Sequence, residues 1–249
     1  MPTALFIAVL GVSAVVTSFV SGILGMAGGM ILMGILLALM PVPAAMLLHG
    51  ITQLASNGWR AFLWRNHVDW RVFRGYLYGS LVVMALFAAF QFVVIKPVAL
   101  IVMGLTPFLA LVLPESLHLN VERRGHASAC GAVCTVLSLT AGVSGPILDV
   151  FFVRSKMTRH AVVATKATTQ SLSHILKIAY FGGVLTVGRG LVEPWLGAMM
   201  VALAFLGTTL STRVLEKMND ASFRLWTRRV VMTLGVFYLA SGVLLLLEP

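Results

Sequence analysis

Apolar and polar positions alternate along this chain in long blocks. The apolar runs are Ala4–Leu24, Val72–Val94, Val98–Leu113, Ala127–Ala141, Leu191–Leu210 and Val230–Leu247. Most approach the roughly 20 residues a helix needs to cross a bilayer. Two further stretches, Ala44–Leu63 and Ala161–Leu185, are as long but laced with polar groups. Two runs are short, Met30–Met40 and Ile147–Val153, and each follows a glycine-rich break. Eleven residues of helix rise only about 16 Å, roughly half the hydrocarbon core. The pattern predicts an all-α polytopic membrane protein that contains two broken, re-entrant-like helical hairpins.

The breaks belong to an internal duplication. Ser21, Gly25, Gly28, Met40, Ala44, Thr52, Gln53 and Ser56 recur 117 residues later as Ser138, Gly142, Gly145, Met157, Ala161, Thr169, Gln170 and Ser173, without a gap. The matches are mostly glycines and polar residues in apolar surroundings, where shared Leu and Val content does not generate them. A duplicated membrane protein centred on Gly-broken segments reads first as a transporter.

Composition agrees with the membrane reading. The chain is 59% hydrophobic and 10% charged, against about 25% charged in soluble domains. Its net charge of +10 suggests a polyanionic partner until the basic residues are placed. They gather at 60–74, 123–124, 154–159 and 213–229, while the intervening connections hold only Lys96 and Arg189. This is the positive-inside pattern. It puts the basic loops in the cytoplasm, both termini on the periplasmic side, and removes the case for nucleic acid. Ala4–Leu24 lacks a basic leader and a cleavage site and is expected to be retained.

The same charges require an even number of crossings, or none, across each break region. About three full spans per copy then give the two copies opposite orientation. The expected organisation is a first inverted repeat at 1–113, a cytoplasmic linker at 114–125 and a second inverted repeat at 126–249.

Candidate chemistry lies at the breaks and just after them. Glycine permits close approach and left-handed backbone, and Pro146 suits the first turn of a half-helix. Irregular backbone at membrane depth persists where protein buries it or a wet cavity receives it. Backbone N–H groups of Gly28, Gly29 and Met30, and of the Gly145, Pro146, Ile147 segment, are then candidates for an anion. The alternative is that these glycines only let helices pack closely.

Downstream, each copy carries a polar stripe: His49, Gln53, Ser56 and Arg60 in the first, Lys166, Gln170, Ser173 and Lys177 in the second. The spacing i, i+4, i+7, i+11 keeps each stripe within about 60° of one helical face. Thr52, Thr169, Asn57 and His174 flank them. Polar and basic residues inside spans are costly and normally face a pathway. These stripes hold donors and cations but no carboxylate, which favours an anionic solute with several acceptor oxygens. Arg60 is read as snorkelling to the interface, and Lys177 is open between snorkelling and the pathway. Asp149, three residues after Pro146, either carries a proton with Lys166 or His174 or caps the half-helix.

Other features add little. Cys130 and Cys134 read as small packing residues, and His67 and Asp69 beside Trp64 and Trp70 as an interfacial belt. No metal cluster, cofactor motif or nucleotide-binding loop is present. A membrane enzyme would need a nucleophile–base pair, which the scattered histidines do not supply. A passive anion channel on the same fold is the nearer alternative.

Gly25-Met26-Ala27-Gly28-Gly29, Gly142-Val143-Ser144-Gly145-Pro146-Ile147 and the Thr/Gln/Ser helices after them resemble the TauE/SafE family of anion exporters over nearly the whole chain. Ala27 stands where that family commonly has Gly. The resemblance implies a bacterial inner-membrane secondary carrier of sulfite, an organosulfonate or a similar small anion, driven by the proton or electrochemical gradient. The expected partners are that anion and the lipid bilayer; homodimerisation is left open.

Overall fold

A computed structural model describes residues 3–24, 26–113, 117, 119–184, 192–215 and 220–247. Within them the chain is all helical, without a strand. The first five helices are α1 (Ala4–Leu24), α2 (Met26–Leu39), α3 (Val42–Leu63), α4 (Trp70–Phe90) and α5 (Lys96–Val112). The next five are α6 (His126–Thr140), α7 (Gly145–Phe152), α8 (Arg159–Ala179), α9 (Pro194–Leu215) and α10 (Asp220–Leu247). Four of them, α1, α4, α9 and α10, are long and apolar enough to cross a membrane.

Local chemistry sets the boundaries. Asp69 caps α4 by accepting from the N–H groups of Arg71 and Val72 at 2.9 and 3.0 Å. Thr158 caps α8 through the N–H of Ala161. Prolines stand in the first turns of α3, α5 and α7, where the missing N–H costs nothing. Between α6 and α7 the backbone turns through Gly142 at φ +78°, a conformation that side chains with a Cβ rarely adopt.

The breaks come close to the expected places, with one correction. The first half-helix begins at Met26 rather than near Gly29. Gly28 tolerates a helical interior because α1 lies directly against it: a Cβ there would fall on the Thr17 carbonyl oxygen. Gly25, between α1 and α2, lies outside the described residues, as do Arg189 and positions 114–116 and 118 of the linker expected at 114–125.

Helix partners follow a reciprocal scheme. α1 packs on α9, and α6 packs on α4; α3 pairs with α8, and α5 with α10. Close approach makes the α4–α6 contact, since a Cβ at Gly79 would meet the Ser128 carbonyl and one at Gly131 the Tyr76 carbonyl. Such small-residue seams drive helix association in lipid, where hydrophobic burial contributes little. One apolar core gathers Met30, Met33, Leu36, Met46 and Tyr180; a second gathers Tyr76, Cys130, Cys134 and Phe151. Outward faces stay apolar, as at Leu81, Leu86, Phe237 and Leu244. The polar faces of α3 and α8 turn inward against each other, which is how two stripes 117 residues apart come to share one space.

Candidate functional site

That shared space is a cavity of 240 Å³ between α2, α3, α6, α7, α8 and α10. Gly29 and the 142–145 segment border it on the side of the breaks. From there it runs to Arg60, near the end of α3, and Val162, near the start of α8. The two breaks meet at its wall: Gly145 packs against Met26, and Gly142 against Met33 and Met46.

Hydrogen bonding around the cavity is incomplete in a particular way. Among the described residues, Gln53 Nε2, Arg60 Nε, Ser138 Oγ, His174 Nδ1 and Thr227 Oγ1 are buried atoms with no hydrogen-bond partner, and all five residues line the cavity. Gln53 Nε2 and Arg60 Nε can only donate, and the two hydroxyls donate readily. Buried donors without partners are costly and call for a ligand or solvent. The one carboxylate in the lining, Asp149, is engaged in an ion pair with Lys166. Several donors without partners converge here. Such a donor set suits a ligand with several acceptor oxygens.

Nine of the residues chosen from sequence border the cavity: Gly29, His49, Gln53, Gly145, Asp149 and Lys166, with Gln170, Ser173 and His174. Seven do not. Gly28 is spent on contact with α1. Met30 is the fifth residue of α2, so its N–H bonds within the helix, and its carbonyl accepts from Tyr238 Oη at 2.9 Å. Pro146 has no N–H to offer, and Ile147 joins the second apolar core. Thr52 and Thr169 donate back to their own helices, to the carbonyls of Leu48 and Lys166.

Ser56 completes the set of seven. It shares a hydrogen bond with Thr208 of α9 at 2.9 Å, just as Ser173 shares one with Tyr76 of α4 at 2.7 Å. Ser56→Ala should therefore lower stability by only about 0.6 kcal/mol, the usual size of such bonds between membrane helices. Thermal melting checks this, and anion affinity should be unchanged.

Two cations behave differently from a snorkelling side chain. Arg60 is partly buried, donates to Asn57 Oδ1 at 2.7 Å and lines the cavity. Lys177 is fully buried, with Nζ 2.7 Å from His49 Nδ1 and 2.8 Å from the Gly142 carbonyl oxygen. Ser138, Ser144 and Thr227 were not singled out by sequence reasoning, although Ser138 repeats Ser21 and stands just before a break. Among the described residues no group of acidic, His or Cys side chains has the makings of a metal site.

A family model described as Sulfite exporter TauE/SafE matches residues 10–238 of the chain. No curated protein and no solved structure matches it.

Proposed function

The chain belongs to the sulfite exporter TauE/SafE family, a family of transporters rather than enzymes, and from that membership we propose a secondary carrier that exports a small oxyanion by alternating access. The five unpartnered polar atoms around one cavity are the observation that carries this reading. Sulfite or a short organosulfonate presents three oxygens on sulfur, and Gln53, Arg60, Ser138 and Thr227 supply hydrogen bonds to them. Gln170 also lines the cavity, Lys166 adds hydrogen bonds or charge, and His49 borders the anion with both ring nitrogens already engaged. Asp149 holds Lys166 in an ion pair, and release of Lys166 to the anion is a means of coupling.

The movement follows from two inverted repeats, 1–113 and 126–249, joined by the linker at 114–125. The reciprocal helix pairing supports this. Exchanging the copies carries α1–α9 onto α6–α4 and returns α3–α8 and α5–α10 to themselves. The same exchange carries the Ser56–Thr208 bond onto the contact that Ser173 makes with α4. The cavity reaches towards Arg60 and the start of α8, next to the basic loops that the charge pattern places in the cytoplasm. This conformation then loads from inside a bacterial inner membrane, with both termini periplasmic. Exchange of conformation between the repeats would open the site to the other face. An inside-negative potential favours exit of an anion by about 2.3 kcal/mol per charge per 100 mV.

Thermal melting of the purified protein with sulfite, sulfate, thiosulfate, taurine and simple carboxylates tests the reading. A ligand that binds only the folded state raises the melting temperature by mass action. The expected result is a selective rise with a sulfur oxyanion that is lost when Gln53 and Gln170 are both replaced by alanine. No rise with any anion, or an equal rise in the double variant, would contradict it.

A further inference from the structure

The donors around the anion leave one buried cation unused: Lys177, with His49 and His174 near it. Lys177 Nζ reaches two acceptors, the Gly142 carbonyl oxygen and His49 Nδ1. The far side of the imidazole, Nε2, lies 3.0 Å from the Gly29 carbonyl oxygen. A carbonyl only accepts, so Nε2 carries the ring hydrogen and Nδ1 receives one from Lys177. One chain of bonds thus ties the carbonyl of the second break to that of the first, through a lysine and a histidine.

The surroundings of Lys177 are unusual for an ammonium. Among the described residues, no carboxylate lies within ion-pair distance of it; Asp149 of α7 is taken by Lys166. The remaining charged or titratable groups nearby are His49 and Arg60 on α3, His174 on its own α8, Tyr76 on α4 through Ser173, and Tyr180, whose hydroxyl donates to Phe92. None of these supplies negative charge. An uncharged amine has two hydrogens, and the two acceptors use both. A third hydrogen has no acceptor among the described residues. A buried ammonium without a counter-charge is disfavoured, and an anion in the cavity beside His49 is the counter-charge that is missing.

We infer that Lys177 takes up one proton when the anion occupies the cavity and returns it when the anion leaves, so that proton and anion cross together. This rests on the carrier reading and names a proton-coupling residue beyond the Asp149–Lys166 pair. In the loading step a solvent proton forms a third N–H bond on Nζ as the anion enters. In the unloading step that bond breaks and both ions depart, so charge and atoms balance without another reactant. A divalent oxyanion then crosses as a complex that is one charge less negative, and the membrane potential still drives it outward. His49 holds the amine in place in both states and lines the cavity, as does His174, whose ring centroid lies 5.8 Å from that of His49.

Calorimetric titration of the purified protein with sulfite tests this, in buffers of different ionisation enthalpy and at a pH where free sulfite is the dianion. The wild type is expected to take up about one proton per sulfite bound, with affinity falling roughly tenfold per pH unit in the alkaline direction. Lys177→Met and Lys177→Arg are expected to bind without that uptake and with a flat pH dependence, the first because it cannot be protonated and the second because it never loses its proton. If Lys177→Met does not fold, Lys177→Arg, which keeps charge and donors, decides alone. Sulfite bound by the wild type without proton uptake, or with the same uptake in both variants, would overturn the role of Lys177 and leave the anion site standing. No sulfite binding by the wild type would overturn both.

Discussion

Alanine at Gly28 is expected to abolish the folded protein, whereas alanine one residue later, at Gly29, is expected to leave it folded and impair anion binding. A Cβ at Gly28 would fall on the Thr17 carbonyl oxygen and press the backbone N of Ser21. Backbone cannot rotate aside as a side chain does, so α1 must lift from α2 and the first break loses its support. Inserting one carbon into a packed interior commonly costs about 1–3 kcal/mol, and a clash with backbone exceeds that range. At Gly29 the nearest atom to a new Cβ is Gln53 Oε1 at 3.5 Å, ordinary contact on the cavity side. Expression and thermal melting in detergent separate the two variants. Equal melting of both would contradict the placement of α2.

The second large effect is expected at Arg60. Its guanidinium donates to Asn57, and its Nε is buried at the cavity without a partner. If that N–H meets the anion, Arg60→Ala removes a charge-assisted bond worth about 1.5–3 kcal/mol. Sulfite affinity should fall roughly tenfold to a hundredfold, with melting in the absence of sulfite little changed. Arg60→Lys should recover only part of the loss, because an ammonium keeps the charge but not the planar donor set. Were Arg60 merely an interfacial anchor, both variants would bind as the wild type does.

Much of this architecture is legible in the sequence because the informative residues stand out against an apolar background. The glycines, Pro146 and the Thr-Gln pairs mark the breaks and the polar helices, and the structure puts helix ends within a few residues of those marks. The polar stripes give a helical face, and Gln53, Gln170, His49 and Lys166 do reach one cavity. Spacing resolves no more than that. Thr52, Thr169 and Ser56 fall away from the cavity because a hydroxyl on a helix satisfies itself on a nearby carbonyl or on a neighbouring helix. Gly28 and Gly29 differ by one residue, which turns about 100° around the helix and decides between packing and cavity. Arg60 looks like an interfacial cation from its position and Lys177 stays open, since what holds them inside is Asn57 one turn back on α3 for Arg60, and His49 and the Gly142 carbonyl on other elements for Lys177. Ser138 and Thr227 come from elements whose approach to α3 and α8 no local pattern encodes.

Counterflow in reconstituted vesicles tests the central claim most directly. Vesicles loaded with unlabelled sulfite at alkaline pH should transiently accumulate radiolabelled sulfite from outside, saturably, with the wild type and far more slowly with the Gln53→Ala, Gln170→Ala double variant. A carrier that presents one site alternately to each face produces this overshoot. Flux that equilibrates without overshoot would mark a channel, and overshoot undiminished in the double variant would place the anion site outside this cavity.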